Sequence, residues 1–131
     1  MKKLECRVIL VTSGSLAEAR KIARAVVEQR LAACVNITTA PVQSIYRWKE
    51  KVQGAREYLL IMKSVEKCLP GLQRAVKQLH SYDVPEFVVL PVVSGSKEYL
   101  DWLAASVTPG KRLRRHTQKF TSRAAPGRGR R

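Results

Sequence analysis

The feature that most constrains this chain is a long stretch of strand-like sequence between residues 32 and 63. Its first part, residues 32–48, reads AACVNITTAPVQSIYRW, and its last part, residues 56–63, reads REYLLIMK. The residues between them, KEKVQGA, are typical of the end of a hairpin. Pro41 predicts a bulge or an edge position in the first strand, because proline cannot donate a backbone hydrogen bond.

The predicted hairpin is longer than the domain that carries it. Its first strand, residues 32–48, would extend about 55 Å, whereas a globule of 131 residues has a diameter of about 36 Å. Strict alternation places Val42, Ser44, Tyr46 and Trp48 on one face near the hairpin end. Exposed aromatic residues on a projecting arm are typical of interaction surfaces. We therefore expect a homo-oligomer in which a neighbouring copy covers the arm; the alternative is an arm that folds back onto its own sheet.

The remaining segments predict helices and strands in alternation. Strand-like composition, helical periodicity and capping residues predict a strand at 6–12, a helix capped by Ser15, a strand at 87–93 and a last helix capped by Ser96. They also predict a helix at 64–79, whose regular part begins near Leu69 with Pro70 in the first turn. The order is strand, helix, strand, strand, helix, strand, helix. Two interleaved βαβ halves give one four-stranded sheet with helices on one face. The predicted fold class is α+β, a ferredoxin-like βαββαβ sandwich with a long β-hairpin and an extra C-terminal helix.

The net charge of +15 is unevenly distributed along the chain. Residues 111–131 contain nine Lys or Arg and no Asp or Glu, which leaves 16 basic and 10 acidic residues, or +6, for residues 1–110. The segment 111–131 lacks apolar periodicity, so we predict a globular domain at 1–110 and a disordered basic tail at 111–131. The tail is either a solubilising extension or an arm that contacts polyanions.

Cysteine spacing and hydropathy bear on the compartment. Cys6, Cys34 and Cys68 lie far apart and form no C-x-x-C pair, which favours a reducing cytosol over a disulfide framework. Glu5 and Arg7 interrupt the apolar run after the two N-terminal lysines, so the segment does not match a signal peptide. No stretch approaches the roughly 20 apolar residues that span a bilayer. We expect a cytoplasmic protein that is not inserted in a membrane.

Several segments together resemble the CutA family of divalent-cation tolerance proteins. They are KIARAVVEQRLAACVNI, SIYRWKEKV, YLLIMKS, LHSYDVPEFVVLPV and YLDWL, and the resemblance covers about residues 6–107 in order. The resemblance implies a ferredoxin-like fold, a homotrimer built around the long hairpins, a cytoplasmic setting and an association with copper and other divalent cations. It predicts a trimer that contributes to divalent-cation tolerance. The alternative is a ligand-sensing or scaffolding trimer with a small-molecule cleft between subunits, in which metal binding is incidental.

The chain departs from the family pattern at the expected metal ligands. Val11 and Leu79 stand where the family resemblance places a Cys and a first His, which leaves His80 as the candidate ligand for a divalent cation, copper above all. The alternative for His80 is a helix C-terminal residue whose imidazole caps the last carbonyls. Ser81 replaces a Pro, and Glu50 replaces a Gly at the hairpin end. Glu50 in place of Gly would lower the stability of the hairpin by about 1 kcal/mol if the position has positive φ, or would alter the turn type.

A second candidate site is a cleft between subunits. Residues that follow His80 and residues of the hairpin could together line it: Tyr82, Asp83, Glu86, Tyr46, Trp48 and Lys63. We expect such a cleft to hold a small anion or a metabolite. The alternative is structural: Asp83 caps a turn, Glu86 pairs with Lys63 and the aromatic rings simply pack. No phosphate loop, nucleophile motif or H-E-x-x-H motif is present, so we do not expect an enzyme.

Overall fold

The strands and helices of the chain follow the predicted order. The computed structural model describes residues 5–107, and the predicted tail at 111–131 lies outside the described residues. The elements are β1 Cys6–Ser13, α1 Leu16–Glu28, β2 Cys34–Ile37, β3 Val42–Trp48, β4 Lys51–Val65, α2 Leu69–Leu79, β5 Val88–Pro91 and α3 Lys97–Ser106. Among these residues no helix is long and apolar enough to cross a bilayer.

The sheet has the strand order of a ferredoxin-like fold. Strands β2, β4, β1 and β5 lie side by side in that order, and β3 pairs with the first half of β4. All of these pairs are antiparallel. The predicted ferredoxin-like α+β class, with a long hairpin and an extra C-terminal helix, is confirmed.

The prediction of one continuous strand at residues 32–48 is wrong. The structure divides it into β2 and β3, separated by residues 38–41, which include Pro41. Thr38 marks the break, because its backbone N–H and its hydroxyl both bond to Leu59 of β4. The chain then resumes on the same partner strand, where Val42 lies opposite Glu57.

Strand β4 begins earlier than predicted. The sequence predicts a start near Arg56, but β4 runs from Lys51 to Val65, because cross-strand pairing with β3 outweighs the poor strand propensity of the segment KEKVQGA. The hairpin turn is only Lys49 and Glu50. Helix α2 begins at Leu69 with Pro70 in its first turn, as predicted, after a 3-10 turn at Glu66–Cys68.

One face of the sheet carries the main core. Helices α1 and α2 pack on it, and alternate strand residues point towards them. The buried core residues include Ile9, Val11, Ile22, Val26, Leu60, Met62, Leu72 and Val76. Helix α3 packs differently from the predicted single helical layer: Leu103 and Val107 join a smaller cluster with Cys6 and Val65 at one end of the opposite face.

The rest of that opposite face is apolar and has no helix on it within residues 5–107. Alternation along β1, β4 and β5 places six aliphatic residues there, which we call the open face: Val8, Leu10, Leu59, Ile61, Val88 and Leu90. Val88 and Leu90 are 45% and 42% exposed. A sheet face of this composition is normally covered by another layer.

Candidate functional site

A cleft lies between the hairpin and the loop that precedes β5. Its volume is about 680 Å³, and it is lined by Thr12, Ser44, Ile45, Tyr46, Trp48, Glu57, Tyr82, Asp83, Val84, Pro85 and Glu86. Register explains how the hairpin contributes. Val42, Ser44, Tyr46 and Trp48 lie opposite alternate residues of β4 from Glu57 to Lys51, so they share one side of the ribbon as predicted, and that side continues the open face.

The structure brings five of the six predicted cleft residues together in one chain. These are Tyr46, Trp48, Tyr82, Asp83 and Glu86. Lys63 is the exception. It lies six residues beyond Glu57 on β4, about 20 Å along an extended strand. Its Nζ lies 2.5 Å from Asn36 Oδ1 and 3.9 Å from Cys34 Sγ, so Lys63 neither lines this cleft nor pairs with Glu86.

His80 follows the last residue of α2 as its C-cap, and its imidazole is fully buried. Nδ1 lies 3.0 Å from the backbone N of Tyr82, and Nε2 lies 2.6 Å from the carbonyl oxygen of Thr12. A backbone N–H can only donate, so Nδ1 is the acceptor, and Nε2 carries the proton that it donates to Thr12. The ring therefore joins α2 to β1 and to the cleft loop. It does not cap the last carbonyls of α2, since the bond to Val76 O comes from the backbone N of His80.

Glu18 lies on the other side of the imidazole. Its Oε2 is 3.4 Å from His80 Nδ1 and accepts a hydrogen bond of 3.0 Å from Ser13 Oγ. Burial of the Glu18 carboxylate raises its pKa, but hydrogen bonds from Ser81 and Ser13, with the nearby His80, outweigh that effect and lower it overall. The predicted Ser15 cap is formed, since Ser15 Oγ accepts a hydrogen bond from Glu18 N, while the Glu18 carboxylate faces Ser13 and His80.

Tyr82 carries the hydrogen-bond network into the cleft. Its hydroxyl donates a hydrogen bond of 2.8 Å to Glu57 Oε2, and its ring lies 4.7 Å from the imidazole of His80. Burial, followed by the hydrogen bond to Glu57, raises the pKa of Tyr82 to about 12. Gly14 makes room for this arrangement, because a Cβ there would lie 3.1 Å from the Tyr82 hydroxyl oxygen.

The cleft is acidic, although the chain as a whole is basic. Glu57, Asp83 and Glu86 are among its lining residues, and none of the lining residues is Lys or Arg. Burial and the negative charge of Glu57 raise the pKa of Glu86, against the effect of a hydrogen bond with Thr12. A small anion, as expected from the sequence, would meet electrostatic repulsion here.

Sequence reasoning missed Glu57, the most buried acidic residue of the cleft. The sequence pattern could have identified it. In strand alternation Glu57 shares a face of β4 with Leu59 and Ile61, so a carboxylate stands there where aliphatic residues otherwise occur. Recognising it required the true start of β4. With β4 assumed to begin at Arg56, Glu57 falls at the fraying end of a strand instead of its middle.

The described residues do not assemble a copper or zinc centre within one chain. No three His, Cys, Asp or Glu side chains of residues 5–107 converge as a metal site requires. Val11 is a core residue and Leu79 packs against the core, so neither position offers a ligand. Cys68 is buried and its Sγ donates to Val107 O, far along the chain from His80.

Comparison with known proteins gives one consistent result. Residues 7–106 match the family model described as CutA1 divalent ion tolerance protein. The divalent-cation tolerance protein CutA of Thermus thermophilus is 51% identical over 96 residues, which cover 73% of this chain and 92% of that protein. A solved structure of Cut A1 from the same organism has 48% identity and a TM-score of 0.76, and the match covers 78% of this chain and 98% of that one.

A plant relative shows how the surroundings of this domain vary. The chloroplastic CutA protein of Arabidopsis thaliana is 42% identical over 99 residues. The match covers 76% of this chain but 54% of the plant protein, so this chain spans about half of that relative's length.

Proposed function

The chain belongs to the family of CutA1 divalent ion tolerance proteins, and we propose that it acts as a cytoplasmic homotrimer that binds divalent cations, copper foremost, and contributes to their tolerance. The names of its relatives support the cation class. The three free cysteines support a reducing compartment. The trimer is the assembly that the family resemblance implies, and the hairpin and the open face support an assembly of copies.

The observation that carries the oligomer is the continuous uncovered surface formed by the open face and the hairpin. Tyr46 and Trp48, which are 40% and 44% exposed, extend the apolar residues of the open face onto the hairpin. A patch of this extent on a monomer marks an interaction site. A second copy of the chain is the occupant we propose, because the outer part of the hairpin, residues 42–57, pairs with itself and contacts little else of its own chain.

The residues around His80 define what a cation would have to displace. His80 Nδ1 and Glu18 Oε2 are of the ligand types that copper and zinc accept, and they lie 3.4 Å apart. A cation bound to Nδ1 would replace the hydrogen bond from Tyr82 N. One chain supplies too few ligands, so the proposal requires further ligands from a neighbouring copy.

Calorimetric titration of Cu(II) into the full-length protein tests the metal proposal. We expect wild type to bind Cu(II) and His80→Ala to bind at least ten-fold more weakly. The matched control is Val76→Ala, which also removes a buried side chain of α2 but keeps the imidazole. Each variant retains His116, so that residue does not contribute to the difference. Equal binding by all three proteins, at equal folded content, would reject His80 as a ligand.

The cleft supports a second function from a different class. A volume of about 680 Å³ lies within the range of small-molecule sites, and the lining combines aromatic rings with a few polar groups. The protein would then sense a small ligand, and metal binding would be incidental. A thermal-shift screen of metabolites and metals on the full-length protein separates the two functions: the second predicts stabilisation by a metabolite in the absence of metals.

A further inference from the structure

We propose that the cleft beside the hairpin binds a small organic cation, with an alkylammonium or guanidinium group placed between the carboxylates of Glu57 and Glu86 and the rings of Tyr46 and Trp48. This inference rests on the second function proposed above and names its ligand class. It is independent of the divalent-cation function.

The first argument is the charge of Glu57. This residue is only 7% exposed, and its recorded hydrogen bond comes from a neutral group, the hydroxyl of Tyr82. The ion pairs formed within residues 5–107 do not include Glu57, Asp83 or Glu86. A buried carboxylate without a cationic partner is costly, and a second carboxylate nearby increases the cost. A bound cation offsets this cost, which gives the cleft a preference for positive charge.

The second argument is the aromatic lining. Tyr46 and Trp48 both line the cleft and are 40% and 44% exposed within one chain, so in the proposed assembly a ligand would lie between these rings and the neighbouring copy. Aromatic faces attract ammonium and guanidinium groups through the ring quadrupole, and Trp does so most strongly. Ile45 and Val84 add aliphatic surface for the carbon atoms of such a ligand. A carboxylate against aromatic walls is the combination that recognises organic cations.

The same lining disfavours a bare metal ion. Hard divalent cations take six or more oxygen ligands, and aromatic walls supply none. No three carboxylate, imidazole or thiolate groups of the described chain converge anywhere, including this cleft. The space is also much larger than one hydrated ion needs.

The third argument is that the acidic group is held in place before a ligand arrives. Glu57 lies on β4, which pairs with β3 at this residue and with β1 from the next residue onward. Its carboxylate accepts a hydrogen bond from the Tyr82 hydroxyl. Tyr82 is fixed in turn by its backbone bond to His80 Nδ1 and by the ring contact. A charge that is positioned in advance loses little conformational entropy on binding. The network around His80 therefore prepares the cleft.

Fluorescence of Trp48, measured in a Trp102→Phe background because the chain has two tryptophans, and calorimetry test the proposal on the full-length protein. The probes are n-butylammonium, the neutral n-pentanol and the anionic n-valerate, all at one ionic strength. We expect n-butylammonium to change the Trp48 emission and to bind at least ten-fold more tightly than the other two. Comparable binding of the neutral or anionic probe would overturn the charge preference and leave the second function standing. An absence of n-butylammonium binding would overturn the inference as well.

Charge-removing variants locate the site. Glu57→Gln keeps an oxygen that accepts from Tyr82 but removes the charge, and we expect it to lose at least ten-fold in n-butylammonium affinity. Glu86→Gln should weaken binding in the same direction. Glu98→Gln, an exposed carboxylate on α3 outside the cleft, is the matched control and should bind as wild type does. Wild-type affinity in both Glu57→Gln and Glu86→Gln would contradict the assignment.

Discussion

At the scale of single residues, the hydrogen bonds of His80 determine the shape of the cleft. The ring accepts from Tyr82 N and donates to Thr12 O, and both of these residues line the cleft. Loss of the imidazole would leave two backbone groups without their partners in a buried place, which costs about 1 to 3 kcal/mol for each. The position thus has a structural reason to be His whether or not a metal binds there.

The hydroxyl of Tyr82 should report on its carboxylate partner. Its pKa is raised from about 10 to about 12 by burial and by Glu57, so the folded state favours the neutral phenol. The resulting stability is fully present below pH 10 and is lost as the pH rises towards 12. Ultraviolet titration of the phenolates, with Tyr82→Phe to assign the signal, should show one late transition. Glu57→Gln should shift that transition to lower pH, and an unchanged transition would contradict the Tyr82–Glu57 bond.

The candidate site could be predicted from the sequence only in part, and its residues show why. Tyr82, Asp83 and Glu86 are close in sequence, and Tyr46 and Trp48 alternate on one strand, so local rules bring each set together. Which of these residues face each other depends on the strand register. Because the start of β4 was predicted five residues late, Glu57 was left out of the predicted cleft residues and Lys63 was included. The roles of Thr12 and Gly14 depend on the packing of the 80–86 loop over β1, which no local pattern indicates.

At the scale of elements, the hairpin depends on an unfavourable turn. Its two central residues, Lys49 and Glu50, have φ of 50° and 67°. Positive φ at both positions is the signature of a type I′ turn, whose twist suits a two-residue hairpin. The positive φ of Glu50 agrees with the cost expected there from the sequence. Neither residue type is favoured there, since a Cβ crowds the carbonyl in this region.

Glu50→Gly should therefore stabilise the hairpin. Glycine adopts positive φ without the Cβ penalty, so we expect a gain of about 1 kcal/mol in the free energy of unfolding. Chemical denaturation of the full-length protein measures it. Gln53→Gly on β4 is the control, because Gln53 is a strand residue and its replacement should destabilise. A loss of stability in Glu50→Gly would show that the Glu50 side chain contributes more than the turn geometry costs.

Element order was predictable because it depends on local composition. The strand at 6–12, the Ser15 cap and the late start of α2 at Leu69 follow from β-branched residues, hydroxyl capping and Pro70. Element boundaries were less predictable. The segment KEKVQGA has poor strand propensity, and it becomes strand only because β3 lies opposite it.

At the scale of the whole molecule, the open face governs how copies associate. Six aliphatic residues of β1, β4 and β5 form a surface that continues into the aromatic side of the hairpin. Helix α3 covers one end of the same side and leaves the rest uncovered within residues 5–107. Burial of this surface between copies would give a large apolar interface, as in obligate oligomers.

Leu90→Lys should dissociate the assembly. An unpaired ammonium in an apolar interface costs about 3 kcal/mol, which weakens association about 100-fold. Light scattering coupled to size-exclusion chromatography should show a trimer for wild type and a smaller species for Leu90→Lys at micromolar concentration. Val93→Lys is the control, because Val93 lies beyond β5 and is 93% exposed. A monomeric wild-type protein would refute the proposed assembly.

The pairing of strand β4 with three other strands has a consequence for how the domain unfolds. It bonds to β1 and β2 along its second half and to β3 along its first half, so three other strands depend on it. Amide protons near Leu60 and Met62 bond either to β1 or to β2, so each exchanges with solvent only when that central pairing separates, which amounts to global opening. Strands β1, β2 and the second half of β4 should therefore separate in one cooperative step, whereas the outer part of the hairpin, which pairs only with itself, can open earlier.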